Sequence, residues 1–234
     1  MKPYRIRLQR NMRPFDKDAF AATLPNRARV FDVGCGNMSA QRIKLLRPDL
    51  YYVGLDVQDY EQSTQALAYA DEYRLTPAAG FLDAIGTERE TMDAVISSHN
   101  LEHCEEPMAV LDRMLAALKP RGRLYLSFPC QASVCFPKRG GSLSFFDDPT
   151  HRTPPDWPTV LQALARAGMH IEFAVPRYRP LVPALLGLAL EPVSMLTRRV
   201  MPFGTTWALW GFESVVWATR SAPFTPNPDP REAS

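Results

Sequence analysis

The chain lacks an excess of charge of either sign. Its 27 lysine and arginine residues and 25 aspartate and glutamate residues leave a net charge of +2, and the basic residues are spread along the sequence. A charge this small and this dispersed does not predict a nucleic-acid partner. With 46% hydrophobic and 22% charged residues among 234, the composition is typical of a globular domain with a sizeable core.

Cysteine is scarce, and its spacing predicts neither a disulfide framework nor a cysteine metal site. The four cysteines are Cys35, Cys104, Cys130 and Cys135, and they do not form the two matched pairs that such a metal site requires. Reduced thiols in a cytoplasmic protein are the interpretation that this pattern favours.

Long apolar runs are also lacking. None reaches the ~20 residues that span a bilayer, and no apolar stretch follows the basic N-terminus as it does in a signal peptide. The apolar segment 181–200 carries Arg198 and Arg199 near its end. It is interpreted as a buried lid helix, or alternatively as a peripheral contact with a membrane surface. The proline-rich segment 221–234 is predicted to be a disordered tail.

The chain does contain, at residues 30–39, an apolar strand, a glycine turn and the start of a helix. Glycine has no Cβ, so a ligand can approach the backbone of such a turn, and the first N–H groups of the helix point toward it. Gly34, Cys35 and Gly36 are therefore candidates for cofactor binding. Asp32 either steadies the turn or holds a cofactor ammonium group through water. One such turn serves many ligands, so it does not identify the cofactor.

Acidic residues follow at the ends of later apolar runs. Asp56 ends the second predicted strand, where an acid can accept hydrogen bonds from both hydroxyls of an adenosine ribose. Val57 follows it at the same rim and is a further cofactor candidate. Asp83 and Ala84 end the run 80–84, which is interpreted as a third strand. A carboxylate there would approach the adenine amino group, and the alternative is a helix N-cap.

Strands and helices alternate between residues 29 and 129. Further strands are predicted at 92–98 and 123–129, separated by a helix at 107–118 and a turn at 119–122. Alternation of this kind predicts a parallel sheet with helices on both faces. The ligand site is expected at the carboxyl ends of the strands, where the order of the sheet reverses.

The segments VFDVGCG, YVGLD, FLDA, MDAVISSHNLEH and LKPRGRLYLSFP occur in this order along the chain. Together they resemble the class I S-adenosylmethionine-dependent methyltransferases over residues 30–129, and more weakly as far as residue 219. The resemblance implies S-adenosyl-L-methionine as the cofactor. It also implies an α/β, Rossmann-like fold with a seven-stranded, mostly parallel sheet of order 3-2-1-4-5-7-6, in which strand 7 is antiparallel.

Relative to that family, the chain has two long insertions and two departures in its turns. Residues 1–220 are predicted to form a single domain in which the insertions 130–154 and 176–212 cover the substrate. Met38 stands where the family often has a third glycine, which makes the cofactor turn bulkier. Gly122 remains where the family has two glycines, and it is expected to provide the positive-φ residue of that turn.

Three histidines are candidates for catalysis. Under the resemblance, Ser98 and His99 lie next to the methyl group that is transferred, with Ser98 in contact with the cofactor. His103 belongs to a Glu-His signature of the family and either takes part in the reaction or orients a loop. His151, in the loop FFDDPTHR, is a candidate general base, because a hydroxyl acceptor must lose a proton and a neutral histidine accepts one near pH 7.

Two aspartates accompany His151 in this loop. Asp147 or Asp148 would orient the histidine ring, as carboxylates do in other base–carboxylate pairs. The alternative is a loop latch in which the aspartates accept backbone N–H groups. No metal site is predicted, and the two carboxylates with His151 are only a minor alternative for one.

Aromatic and basic side chains gather in the two insertions, where they are candidates for contact with a sugar, a lipid chain, a phosphate or a carboxylate. Packing within the insertions and solvated surface are the simpler interpretations. The aromatic residues are Phe136, Phe145, Phe146, Trp157, Tyr178, Trp207 and Trp210. The basic residues are Lys138, Arg139, Arg177, Arg179, Arg198 and Arg199.

The chain is therefore predicted to transfer a methyl group from S-adenosylmethionine to a small-molecule or glycan acceptor, with a hydroxyl as the preferred acceptor. The FFDDPTHR loop and the second insertion resemble those of bacterial methyltransferases associated with cell-surface polysaccharide or natural-product sugars. N-methylation, a non-catalytic S-adenosylmethionine-binding module and an NAD-dependent oxidoreductase are the alternatives. The last is disfavoured because GCGNMS lacks the third glycine of the dinucleotide fingerprint.

Overall fold

The computed structural model describes residues 14–36, 38–58 and 68–221. Seven strands form one sheet, namely β1 (Arg29–Val33), β2 (Tyr51–Asp56), β3 (Glu72–Leu75), β4 (Met92–Ser98), β5 (Leu118–Pro129), β6 (Met169–Val175) and β7 (Glu213–Arg220). Their spatial order is β3-β2-β1-β4-β5-β7-β6. The neighbours from β3 to β5 run parallel, while β7 runs antiparallel to both β5 and β6. The order and the antiparallel last strand expected from the sequence are confirmed.

Helices lie between the strands in the described part of the chain. They are α1 (Lys17–Ala22), α2 (Ser39–Leu46), α3 (Phe81–Gly86), α4 (Pro107–Ala117), α5 (Trp157–Arg166), α6 (Leu181–Thr197) and α7 (Thr205–Trp210). Two short 3-10 helices, Leu101–His103 and Phe145–Asp147, carry residues that matter for the site. The helix predicted after the fourth strand is confirmed as α4.

Helices cover both faces of the sheet, as a parallel sheet requires. Side chains alternate along a strand, and neighbours on β1 accordingly join different apolar clusters. Val30 packs with Phe20 of α1 and Ile43 of α2, whereas Phe31 packs with side chains of α3, α4 and α5, such as Leu111. Burial on both faces fixes the register of β1, and this in turn fixes where the glycine turn emerges.

The third strand predicted at residues 80–84 is wrong. Gly80 caps α3 and residues 81–84 belong to it, and within this helix Phe81 and Ile85 stand one turn apart and are both buried. A short apolar run fits a strand or a helix equally well, and here the i, i+4 spacing decides. The true β3 contains polar residues such as Glu72 and Arg74, because it lies at the edge of the sheet and is only half buried.

The turn before the long part of β5 also differs from expectation. The positive φ falls on Arg121 (65°) and not on Gly122. Gly122 is needed for a different reason, since an added Cβ would lie 2.8 Å from the carbonyl oxygen of Lys119. The turn therefore uses the small size of glycine at one position and tolerates a left-handed arginine at the other.

The two insertions follow β5 and β6 and contact each other. A short parallel bridge joins them, in which the Gly140 N–H donates to the carbonyl of Arg198 (2.8 Å) and the Val200 N–H donates to the carbonyl of Gly140 (2.9 Å). The indole N–H of Trp207 also donates to the carbonyl of Ser142 (2.9 Å). The insertions thus form one layer over the rim of the sheet.

Several expectations concern residues outside the described ranges. The predicted tail lies there from residue 222 onward, as does Asn37 of the glycine turn. Within the described residues, no helix is both long and apolar enough to cross a membrane. The four cysteines are free thiols.

Candidate functional site

The glycine turn lies between β1 and α2, and β2 supports it. The N–H of Gly34 donates to the carbonyl of Leu55 (2.9 Å), and the N–H of Cys35 shares that acceptor (3.2 Å). Gly34 and Gly36 both have positive φ, at 69° and 57°. An added Cβ on Gly34 would lie 2.4 Å from the side chain of Asn100, while at Gly36 no described atom lies within 4 Å of that position. Gly34 is therefore needed for packing, and the backbone at Gly36 is accessible to a ligand.

Asp56 lies at the end of β2, beside this turn. Its Oδ2 accepts the Gly36 N–H (2.7 Å) and its Oδ1 accepts the Val57 N–H (2.7 Å). Burial raises the pKa of the Asp56 carboxyl, although these two hydrogen bonds and one from the Gln58 backbone oppose the shift. A carboxylate has about four acceptor sites, so Asp56 shapes the turn and retains the capacity to accept a further hydrogen bond.

Asp32 is fully buried beneath the turn. Its Oδ2 accepts hydrogen bonds from the hydroxyls of Tyr52 (2.7 Å) and Ser39, and the Lys17 ammonium lies 2.7 Å away. Its Oδ1 has no hydrogen-bond partner among the described residues. The contact with Ser39, the first residue of α2, supports the steadying role. The unpaired Oδ1 is an acceptor that remains for a ligand or water.

Met38 takes the third position of the turn with φ 66°. This left-handed conformation costs a non-glycine residue about 1–2 kcal/mol. The methionine side chain is 47% exposed, so its bulk points at least partly toward solvent. Met38 thus adopts the left-handed backbone conformation that glycine would favour at this position.

Asp83 and Ala84 were predicted from the sequence to end a strand, but they lie in a helix. Asp83 is exposed in the first turn of α3, where a negative charge favours the helix. The chain leaves β3 at Thr76 and Pro77 instead, and the Thr76 N–H donates to the carbonyl of Asp56 (3.0 Å). The end of β3 was not recognised in the sequence because no acidic residue marks it.

Ser98 and His99 are brought to the same rim by the end of β4. The hydroxyl of Ser98 lies 2.9 Å from that of Ser127 on β5. Ser98 is therefore tied to the neighbouring strand at the rim that also holds the glycine turn.

His99 stands between two carboxylates. Its Nδ1 lies 3.1 Å from Glu102 and its Nε2 lies 2.8 Å from Glu213. The ring also stacks near Trp207 and Phe212. Burial alone would lower the pKa of His99, but the hydrogen bonds and charges of the two glutamates raise the pKa to about 10. His99 is therefore an imidazolium whose two N–H groups are both used, and it has no lone pair with which to accept a proton.

His151 has a different arrangement. Its Nδ1 lies 2.6 Å from the carbonyl oxygen of Phe145, which can only accept, so Nδ1 carries the proton. In the neutral ring the lone pair is then on Nε2, with the nearest Asp148 oxygen 3.9 Å away. The ring packs against Phe145 and His103 with centroids 4.6 and 4.8 Å apart. A backbone carbonyl orients His151, and not an aspartate as the sequence analysis proposed.

Asp147 is the latch of this loop. Its Oδ2 accepts the backbone N–H groups of Arg139, Leu143 and Ser144 at 2.8–3.0 Å. The alternative interpretation from the sequence is therefore the one that describes Asp147. The latch fixes the 3-10 helix whose first residue, Phe145, holds His151.

A cleft of about 650 Å³ lies between the insertions, lined in part by Phe136, Trp210, Arg177 and Arg179. The Phe136 and Trp210 rings lie 5.2 Å apart, and the Arg177 guanidinium stands 5.2 Å from the Phe136 ring centre. Two cations and two aromatic faces therefore meet in one concavity.

Arg139 does not belong to the basic groups that a ligand can use. It is buried and makes a two-pronged ion pair with Glu191 of α6, at 2.6 and 2.9 Å. The hydrogen bonds from Arg139 lower the pKa of Glu191. This pair holds the first insertion against the second.

One protein family matches this sequence. A family model described as a methyltransferase domain matches residues 4–178, well over half of the chain. No functionally curated protein matches the sequence.

Solved structures of three other proteins share the fold. An S-adenosylmethionine-dependent methyltransferase from Mesorhizobium loti is 21% identical, with 86% of this chain and 96% of that chain covered and a TM-score of 0.57. A Haloferax volcanii protein described as a methyltransferase, seen in complex with the activator Trm112, is 18% identical, with 87% and 88% covered and a TM-score of 0.59. The [4+2]-cyclase SpnF is 18% identical, with 89% and 80% covered and a TM-score of 0.51. At these identities the similarity concerns the fold.

The charge of His99 predicts how stability depends on pH. The pKa is ~6.5 in an unfolded chain and about 10 in the folded protein, so the folded state binds more protons between these values. The stabilisation is complete below pH ~6.5 and is lost as the pH rises toward 10. Between these limits we expect the Tm of the unmodified protein to fall by about 10 °C more than that of His99→Asn, measured by calorimetry.

The matched control is His170→Asn, since His170 is exposed on β6. This variant should follow the unmodified protein at every pH. Parallel Tm curves for the unmodified protein and His99→Asn would contradict a protonated His99.

Proposed function

This chain belongs to the class I S-adenosylmethionine-dependent methyltransferase family, and from that membership we propose that it methylates a hydroxyl group of a glycan-type acceptor presented at a membrane surface. Bound S-adenosylmethionine supplies an electrophilic methyl group. The residues of the chain must then hold the cofactor, align the acceptor oxygen and take up the acceptor proton.

Three observations support cofactor binding at the glycine turn. The backbone at Gly36 is accessible, and the buried Oδ1 of Asp32 has no hydrogen-bond partner among the described residues. Asp56 ends β2, where an acid can accept ribose hydroxyls, and its carboxylate retains an acceptor site. These groups fit a nucleoside with a polar tail, which is the shape of S-adenosylmethionine.

The hydrogen-bonded state of His151 is the main support for a hydroxyl acceptor. Its Nδ1–H is committed to the Phe145 carbonyl, so Nε2 can accept a proton. The next residue, Arg152, donates its N–H to the carbonyl of Glu102 (2.8 Å), which lies just after β4. The loop therefore returns to the rim that holds the glycine turn. Asp148 stands 3.9 Å from Nε2 and would stabilise the imidazolium that forms.

The cleft between the insertions supports a glycan acceptor with an anionic group. The aromatic rings of Phe136 and Trp210 line the cleft, and aromatic faces are suited to packing against a sugar ring. Arg177 and Arg179 present guanidinium groups that suit a phosphate or a carboxylate. A sugar joined to a phosphate combines both requirements.

The surface of α6 supports presentation at a membrane. The helix packs against α7 at the buried Gly187, but much of its remaining surface exposes large apolar residues. These are Leu181, Val182, Leu185, Leu186, Leu188, Val193, Met195 and Leu196, with Phe203 in the following turn. Leu196 and Phe203 are 88% and 96% exposed. This exposed apolar surface is not that of a lid helix buried on all sides. It supports the proposal that α6 is an interfacial helix flanked by arginines.

Asp56 tests the cofactor site. Asp56→Asn removes the charge that strengthens hydrogen bonds to two ribose hydroxyls, so S-adenosylhomocysteine affinity should fall about 10- to 100-fold. Calorimetric titration measures the loss, and circular dichroism checks that the fold is retained. Unchanged affinity would remove Asp56 from the site. Asp83→Asn provides the comparison, because a similar loss there would support the adenine contact first expected of Asp83.

His151 tests the reaction. His151→Asn should lower kcat by about 10²- to 10⁴-fold, because the acceptor proton loses its base, while S-adenosylhomocysteine affinity stays unchanged. Turnover is followed as S-adenosylhomocysteine release with a panel of sugar phosphates and lipid-diphosphate sugars. Unchanged turnover would exclude the base and favour an amine acceptor. Absence of turnover with every acceptor, despite cofactor binding, would favour a non-catalytic module.

Membrane contact is tested by sedimentation with vesicles of phosphatidylethanolamine and phosphatidylglycerol. The unmodified protein should sediment with the vesicles, and Leu185→Glu with Leu196→Glu should reduce the bound fraction at least about tenfold, because two charges would enter the apolar face. Leu45→Glu is the control, since Leu45 is 65% exposed on α2, away from α6. Equal binding of all three proteins, or none, would contradict the membrane proposal.

A further inference from the structure

We propose that Glu102, His103 and His151 form a binding site for a divalent transition metal, with zinc as the expected ion. One donor atom from each residue lies within 4.8 Å of the others. The sequence analysis predicted no metal site and named Asp147 and Asp148 in its minor alternative. The structure gathers a different set, because the Glu-His pair after β4 meets the histidine of the first insertion.

The tautomer of each histidine leaves one nitrogen for a metal. His151 donates Nδ1–H to the Phe145 carbonyl. For His103 the partner is the Thr150 hydroxyl, 2.9 Å from Nδ1. That hydroxyl has a single hydrogen, which it gives to Asp148 (2.6 Å), so the Nδ1 of His103 must be the donor. Both Nε2 atoms therefore keep their lone pairs.

The outer hydrogen bonds are those of metal-binding histidines. Such histidines almost always donate their second N–H to a carbonyl, a carboxylate or water, which fixes the ring and raises its basicity. A backbone carbonyl does this for His151, and the Thr150–Asp148 pair does it for His103. Burial alone would raise the pKa of Asp148, but the hydrogen bonds from Thr150 outweigh it and lower the pKa, so this outer carboxylate stays ionised.

Glu102 provides the second, independent observation. Its side chain is completely buried, and Oε1 is bonded to His99. Its Oε2 is buried and has no hydrogen-bond partner among the described residues. An unsatisfied buried acceptor costs about 1–3 kcal/mol, and more when the group is charged. A cation that Glu102 shares with His103 and His151 would remove this cost.

The donor set points to zinc. Two imidazoles and one carboxylate are a known catalytic zinc set that keeps a fourth position open. In a tetrahedral site with metal–ligand bonds of ~2.0–2.1 Å, the ligand atoms stand about 3.4 Å apart. The donor atoms of the three residues lie up to 4.8 Å apart, so metal binding must bring them closer by about 1.4 Å. Cys104 is not a member of this group, and its thiol donates to the carbonyl of Asn100 (3.2 Å).

A metal here would change how the acceptor loses its proton. The ion and a proton compete for Nε2 of His151. A hydroxyl bound at the open position would have its own pKa lowered by the ion, and its proton would pass to solvent. The metal site does not depend on the proposed function, because binding is measurable without cofactor or acceptor.

The test is a metal titration of the full chain after removal of any affinity tag, treatment with EDTA and desalting. Calorimetry with Zn²⁺ should give one saturable site, and Co²⁺ should give the visible absorption of a four- or five-coordinate ion. Glu102→Gln, His103→Asn and His151→Asn should each weaken binding at least about 100-fold. Thr150→Val, which leaves all three ligands in place, should weaken it about 10- to 100-fold.

His170→Asn and Cys135→Ser are the controls, since both residues are exposed and distant in sequence from the three ligands. The inference is overturned if no saturable binding occurs, or if only a control variant abolishes it. Thr150→Val keeps the test decisive even if Glu102→Gln fails to fold. Methyl transfer that survives EDTA in a chain that binds no Zn²⁺ would overturn the metal site and leave the proposed function standing.

Discussion

The site depends on the ion cluster of His99 with Glu102 and Glu213. Glu213 begins β7, whereas His99 and Glu102 follow β4, so the cluster joins two strands that are not neighbours in the sheet. It also commits one oxygen of Glu102 to His99, while the other is buried without a hydrogen-bond partner among the described residues. His99 is the cation between two carboxylates, so removing it would leave both glutamates without compensation.

A second constraint connects the cofactor turn to the same rim. Asn100 follows His99 directly and packs on Gly34 so closely that no Cβ fits there. Asp56, at the end of β2, accepts the N–H of Gly36. The turn is therefore held between β2 and the segment after β4, which places the proposed cofactor contacts beside the His99 cluster.

The sequence predicted the features that depend on local pattern. Buried strands with terminal acids predicted a parallel sheet and the position of Asp56 at a strand end, whereas the sheet order followed from the resemblance to the methyltransferase family. The prediction from the sequence failed at β3, which is polar because it lies at the sheet edge. It also failed at α3, whose apolar run was too short to distinguish a helix from a strand. The sequence also could not predict the protonation of His99, since Glu213 is 114 residues away. The proton on His99 depends on a tertiary contact that no local pattern encodes.

α6 joins the membrane proposal to the acceptor proposal. Glu191 lies on this helix, lines the cleft and fixes Arg139 of the first insertion. The same helix carries the exposed leucines. A helix that rests on a bilayer through those leucines would bring the cleft, with Arg177 and Arg179, close to the headgroup layer. A glycan joined to lipid through phosphate would then reach the cleft without leaving the membrane, which explains why apolar and basic surfaces stand on one insertion.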